Sequence, residues 1–314
     1  MRHPPHVYRR RRLVAVGALA ALGAGAFALG AAVTGGDQGG LRAAGSAASE
    51  APLPELPGGG RRLFPDKRVV AFYGAPQAAE LGTLGIGTPA QAGRRLLRQS
   101  RPYARKTRPV LPAMELLATI ANRDPGEDGL FMTRQPAATI DRYLRAARRI
   151  KALLLLDIQP GRAGFVTEMR RLTPWLRQPD VGLALDPEWH VAEGQVPGQV
   201  IGSVDAGVVD QVGRELSEIV RAGRLPEKLL VVHQFTENMI MNKARLRPHP
   251  GVALTFNVDG FGDRPNKISK YNAFTSEVVR FNDGFKLFYE EDTNLMKPST
   301  VLALRPPPDV VVYE

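Results

Sequence analysis

Eight short apolar runs recur between residues 69 and 314, each ending on a polar, aromatic-polar or acidic residue: 69–73, 110–115, 152–157, 181–188, 229–234, 252–259, 285–290 and 310–314. The seven stretches between them average about thirty residues, long enough for the helical crossover that parallel neighbours require. Runs 153–156 and 229–232 are apolar at every position, the pattern of parallel strands buried on both faces. The chain is therefore predicted to fold as a single-domain (β/α)8 barrel over residues 62–314. Setting aside the first sixty of 314 residues leaves a length close to the ~250 typical of one such barrel. In this architecture the carboxyl ends of the strands meet at one rim. Glu115, Asp157, Asp186, Glu188, His233, Asn257, Asp259, Tyr289, Glu290 and Glu314 are expected there.

Ahead of the barrel the composition changes. Arg2 and Arg9 to Arg12 form a basic flank over 1–12, and residues 13–33 are uncharged and rich in Ala and Gly. That order reads as an export segment, and its length meets the ~20 residues needed to span a bilayer. An uncleaved anchor with the arginines inside is the preferred expectation, a cleaved signal and a secreted protein the alternative. Residues 34–61 are Gly, Ala, Ser and Pro rich and are expected as a flexible spacer. Cysteine is absent, which excludes disulfides, thiolate metal sites and a cysteine nucleophile. Net charge is +11, of which six basic and three acidic residues in the first sixty account for +3, leaving the barrel about +8. Much of the excess is arginine at helical spacing with no interleaved aromatics, so no nucleic-acid partner is expected. Nothing in the sequence fixes an oligomeric state.

Helices are predicted over 89–99, with Thr88 as cap and Pro89 at the first position, and over 136–151, 165–176, 206–222, 239–246, 268–279 and 298–304. Alternation within two runs assigns faces. In 252–259, Val252, Leu254, Phe256 and Val258 share one parity and should face the helices, leaving Asn257 and Asp259 on the inner side. In 181–188, Gly182, Ala184, Asp186 and Glu188 share the inner parity.

Asp186-Pro187-Glu188-Trp189 is the sharpest chemical feature. Two carboxylates held close together do not both ionise freely, so one rises toward a pKa useful to a general acid. Trp189 supplies an apolar wall and a face for a sugar ring. Tyr289-Glu290 closes the seventh run and places a second carboxylate across the mouth. Cleavage of a glycosidic bond needs two such groups on either side of the bond. Tyr73, Glu115, Asp157, His233, Gln234, Asn257, Asp259 and Tyr289 complete the expected substrate-binding set. No phosphate-binding glycine loop is present, and the five histidines are too dispersed for an evident zinc site. No cofactor or metal is expected.

On these residues the chain resembles glycoside hydrolases with (β/α)8 catalytic domains. Asp186 and Glu188 match the Asp-x-Glu ending of strand four in chitinase-like families, while Ala184 stands where that pattern carries a further Asp. Glu188 and Glu290 match an acid on strand four with a nucleophile on strand seven, although no Asn precedes Glu188. Segments 154–161, 186–189, 232–236 and 257–262 also resemble an uncharacterised family of exported bacterial barrels. The second resemblance implies location and fold but no established reaction; the resemblance to glycoside hydrolases implies a hydrolase of cell-envelope or extracellular carbohydrate, with Glu188 as general acid, Asp186 tuning it or positioning a substrate group, and Glu290 as nucleophile or base. The competing expectation is a non-catalytic barrel that binds such a carbohydrate.

Overall fold

The computed structural model describes residues 52–276 and 281–314. The basic flank, the apolar segment 13–33 and the spacer up to residue 51 lie outside them. Eight parallel strands close into a barrel: β1 (Arg68–Gly74), β2 (Val110–Ala121), β3 (Leu153–Ile158), β4 (Val181–Leu185), β5 (Lys228–Gln234), β6 (Val252–Val258), β7 (Asn282–Leu287) and β8 (Val310–Tyr313). Each pairs with the next, and β8 pairs with β1 to complete the circle. The fold class expected from the eight runs is the one observed.

The helices are α1 (Pro89–Ser100), α2 (Ala137–Arg149), α3 (Phe165–Arg171), α4 (Thr173–Leu176), α5 (Ala206–Gly223), α6 (Arg264–Ser276) and α7 (Pro298–Leu302). Thr88 caps α1 in a reciprocal box with Gln91, which satisfies two orphan donors at once. The single helix expected over 165–176 is divided at Leu172, with Pro174 in the first turn of α4. The helix expected over 239–246 does not form. Asn242 takes a left-handed backbone (φ 58°), and Ile240–Met241 instead pairs with Val204–Asp205 as a small parallel ribbon. Thus β5 returns to β6 without an α-helix among the described residues.

Two apolar layers result. Leu116, Leu154, Leu183, Val232, Leu254 and Phe256 pack outward beneath the helices. Ala71, Ala113, Leu155, Ala184, Val231 and Val312 fill the barrel interior. Leu56 and Leu63 belong to this inner cluster, so residues 52–63, expected mostly as the end of the spacer, cross the amino-terminal end of the barrel. Arg61 fastens them there by donating to the carbonyls of Arg224 and Leu225. Glu227 accepts from the Leu63 amide at 2.6 Å.

Candidate functional site

The inner parity that is apolar low in the barrel turns polar at its carboxyl end, on every strand. Tyr73, Glu115, Asp157, Asp186, His233, Asn257, Lys286 and Glu314 come from β1 to β8 in order, with Asp186 and Glu314 one residue past their strands. Glu115, Asp157, His233 and Asn257 are wholly buried, and Asp186 and Lys286 are 2% and 1% exposed. A barrel needing only stability would fill this layer with branched apolar residues. Gathering ionisable groups there costs desolvation energy, and such arrangements cluster where chemistry is done.

Hydrogen bonds and ion pairs order the ring. His233 Nε2 lies 3.0 Å from Glu115 Oε1, and its Nδ1 lies 3.3 Å from Asp259 Oδ2. Burial and the nearby Lys286 oppose charge on the imidazole, but hydrogen bonds to Asp259 and Glu115 prevail and hold its pKa well above the ordinary value. A doubly protonated imidazole donates from both nitrogens, Nε2 toward Glu115 and Nδ1 toward Asp259. Lys286 Nζ bridges Asp259 Oδ2 at 3.0 Å and Glu314 Oε2 at 2.8 Å, and sits 3.8 Å above the Tyr73 ring. Gly284 makes the approach of β7 possible, because a Cβ there would meet Asn257 Oδ1 at 2.7 Å.

The other half of the ring is acidic. Gln159 donates to Tyr73 Oη at 2.9 Å, and the Tyr73 hydroxyl donates to Asp186 Oδ2 at 3.4 Å. Both carboxylate oxygens of Asp157 and Oδ1 of Asp186 are buried without a hydrogen-bond partner. Burial first, and Asp186 second, push the Asp157 carboxyl well above the usual range. Burial also raises Asp186, against the opposing pull of His233 and Lys286. The pair therefore tends to hold protons beside a half-ring whose carboxylates are matched by cations.

These shifts set a pH dependence. A pKa raised in the folded state contributes stability that is full below the unfolded value and is lost as pH climbs through the folded value. His233, Asp157 and Asp186 all act in this direction, from the ordinary carboxyl value near ~3.9 upward for the acids and from near ~6.5 upward for the imidazole. Lys228, pushed down to about 7 by burial, acts oppositely at higher pH, so the diagnostic quantity is a difference. Asp157→Asn, which cannot ionise, should gain stability relative to the wild type as pH rises from about 5.5 to about 9. Urea midpoints across that range provide the comparison, and a constant gap between the two proteins would contradict the assignment.

The remaining expected residues lie on the rim. β4 ends at Leu185, and Pro187–Trp189 forms a 3-10 turn, so the alternation that places Asp186 inside does not extend to Glu188. Glu188 and Trp189 are half-buried. Their turn is clamped by the amide of Gly202 donating to the Glu188 carbonyl at 2.7 Å and the amide of Ser203 to that of His190. β7 stops at Leu287, not at Glu290, leaving Glu290 exposed and Tyr289 40% exposed on the following turn. Tyr289 stacks on Tyr313 at 5.3 Å. Gln234 turns to a structural task, accepting from Lys243 Nζ at 2.7 Å.

A cleft of about 990 Å³ opens between the β1–α1 loop, α1 and the turn after β7, lined by Phe72, Arg95, Gln99, Tyr289, Glu290 and Glu314 among others. Glu314 joins the cleft to the buried ring through Lys286. Glu188 and Trp189 do not line this cleft; they stand at the end of β4, on the same carboxyl face of the barrel. Among the described residues, no three His, Asp or Glu side chains are grouped to hold a metal ion. Lys286 and Gln159 were absent from the residues expected from sequence. The signal for Lys286 was its inner parity, shared with Gly284 and Phe288, inside an otherwise apolar stretch.

No family model matches the chain, and no curated protein matches it. Among solved structures, a sialic acid aldolase of Ruminococcus gnavus, as its catalytic lysine mutant, is similar with a TM-score of 0.40 and 10% identity, over 81% of this chain and 68% of that one.

Proposed function

We propose that the protein is an acid–base enzyme that hydrolyses a glycosidic bond in a cell-envelope or extracellular carbohydrate. The observation that carries this reading is the divided ring. One half holds two buried carboxyls driven toward the protonated state, and the other holds carboxylates matched by Lys286 and His233. Glycoside hydrolysis asks for both forms at one pH, a proton donor and an ionised partner. Glu188 is the donor in this scheme, because Asp186 is too buried to reach a substrate while Glu188 lies two residues on at the rim. Asp186, whose charge disfavours ionisation of Asp157, supplies the proton-holding environment behind it. The second carboxyl group comes from the turn after β7 or the end of β8. Glu290 has the sequence position expected of it, and Glu314 has the stronger mooring, through Lys286. Tyr289 offers an aromatic face beside Glu290 and Glu314 in the cleft, and Trp189 offers one beside Glu188 at the end of β4. Export and a membrane anchor at residues 13–33 belong to the same proposal.

The test is incubation of the protein with a panel of envelope and extracellular polysaccharides, following reducing ends and binding in parallel. Release of reducing ends supports hydrolysis. Binding without release supports the non-catalytic carbohydrate-binding barrel, and neither result on any polymer overturns both readings.

A further inference from the structure

The loops leading into the strands form the end of the barrel opposite the polar ring, and that end is cationic. Along the arc from β8 through β1 to β4 they carry Arg305, Arg105, Lys106, Arg149, Lys151 and Arg177, all exposed. The acids of the same arc are already engaged, Asp66 by Arg62, Asp180 by Arg148 and Asp309 by Arg108. Arg105 and Arg305 donate only to neutral carbonyls, so their charge is uncompensated. Glu55, in the segment laid across this end, and Asp66, already paired with Arg62, are exposed carboxylates set against these six cations. At the opposite end Glu80, Glu193 and Glu290 are exposed around the mouth, together with the cations Arg264 and Lys297.

We propose that the cationic end is a docking surface for an anionic lipid bilayer, which holds the barrel upright with its acidic mouth away from the membrane. Charge complementarity with lipid phosphates is the first reason, since clustered Lys and Arg are drawn to anionic headgroups within about a Debye length. The path of the chain is the second. Leu56 and Leu63 are seated in the core at this end, so the chain reaches the barrel here, and upstream lie the Arg9 to Arg12 flank and the uncharged stretch 13–33. A bilayer engaged by that stretch would meet the cationic end first and repel the mouth. The second reason rests on the membrane anchor proposed above, and neither reason rests on the carbohydrate.

The absence of cysteine allows a single label to be placed in the full-length protein. Thr107→Cys marks the cationic end and Glu291→Cys the mouth. Each labelled protein is added to phosphatidylcholine vesicles with or without phosphatidylglycerol, containing a headgroup quencher. With phosphatidylglycerol, quenching at Thr107→Cys should exceed that at Glu291→Cys several-fold. The excess should vanish when salt rises from about 0.1 M to about 1 M, where the screening length falls from ~10 Å to ~3 Å. Adding Arg105→Glu, Lys106→Glu and Lys151→Glu should abolish it, with an unchanged circular-dichroism melt confirming the fold. Equal quenching at both positions, equal quenching with and without phosphatidylglycerol, no quenching, or survival of the signal in the charge-reversed protein overturns the proposal. Binding to a soluble acidic polysaccharide in place of vesicles would also overturn it, and assign the surface to an anionic polymer.

Discussion

Lys286→Met should lower the unfolding free energy by about 3–5 kcal/mol, the usual cost of removing one partner from a buried ion pair. The expectation rests on geometry. Nζ is 3.0 Å from Asp259 and 2.8 Å from Glu314, and the residue is 1% exposed. Methionine fills the same volume but removes the cation that bridges Asp259 and Glu314. A buried carboxylate that loses its paired cation keeps its desolvation cost without the compensating attraction, which lowers the stability of the fold. Asp259→Asn added to Lys286→Met should recover part of the loss, because it removes one stranded charge. Urea unfolding of wild type, single and double variants near neutral pH gives the coupling directly. A loss below about 1 kcal/mol in Lys286→Met would place it in the range of an ordinary point change and show that the lysine does not neutralise the ring.

The barrel was legible because a parallel strand buried on both faces leaves an unmistakable trace, a run such as 153–156 with no polar position. The inner face was legible wherever alternation could be read inside a strand. Asn257 is inside because Val252, Leu254 and Phe256 need the helices, and Asp186 is inside because Gly182 and Ala184 are the small residues of β4. Alternation stops where the strand stops. Pro187 starts a 3-10 turn, and the run 285–290 overshoots β7 by three residues while missing its start. Asn282, Asp283 and Gly284 are poor strand formers by composition, yet they pair with Thr255, Phe256 and Asn257 of β6. The missing crossover helix after β5 has the same character. Residues 239–246 have enough apolar side chains for a helix, but the left-handed Asn242 and the pairing of Ile240–Met241 are decided by tertiary contacts. For the site, the ring was largely readable and the rim was not, since Glu188 and Glu290 owe their positions to turns.

Because Glu188 is held at the rim by a turn and not by strand pairing, its variant is the decisive measurement. Glu188→Gln keeps size and hydrogen-bonding reach but removes the transferable proton, and general acid–base catalysis contributes ~10²–10⁴-fold. Glycan turnover should fall by a factor in that range while binding of the same glycan is kept. Trp189→Ala should do the reverse, weakening binding more than it slows turnover at saturation, if the indole is a stacking platform. The second carboxyl is assigned by contrast. Glu314→Gln loosens Lys286 and so should reduce turnover and thermal stability together. Glu290→Gln, on an exposed turn, should reduce turnover without touching stability if Glu290 is the nucleophile or base, and should change neither if Glu314 has that task. Turnover unchanged in Glu188→Gln would remove Glu188 from the mechanism and shift the proton donor into the ring, where Asp186 has the raised pKa and would have to gain access to the substrate by movement of the 187–190 turn. Asp186→Asn then becomes the variant expected to abolish turnover, and the clamp from Gly202 to the Glu188 carbonyl becomes the contact that has to open.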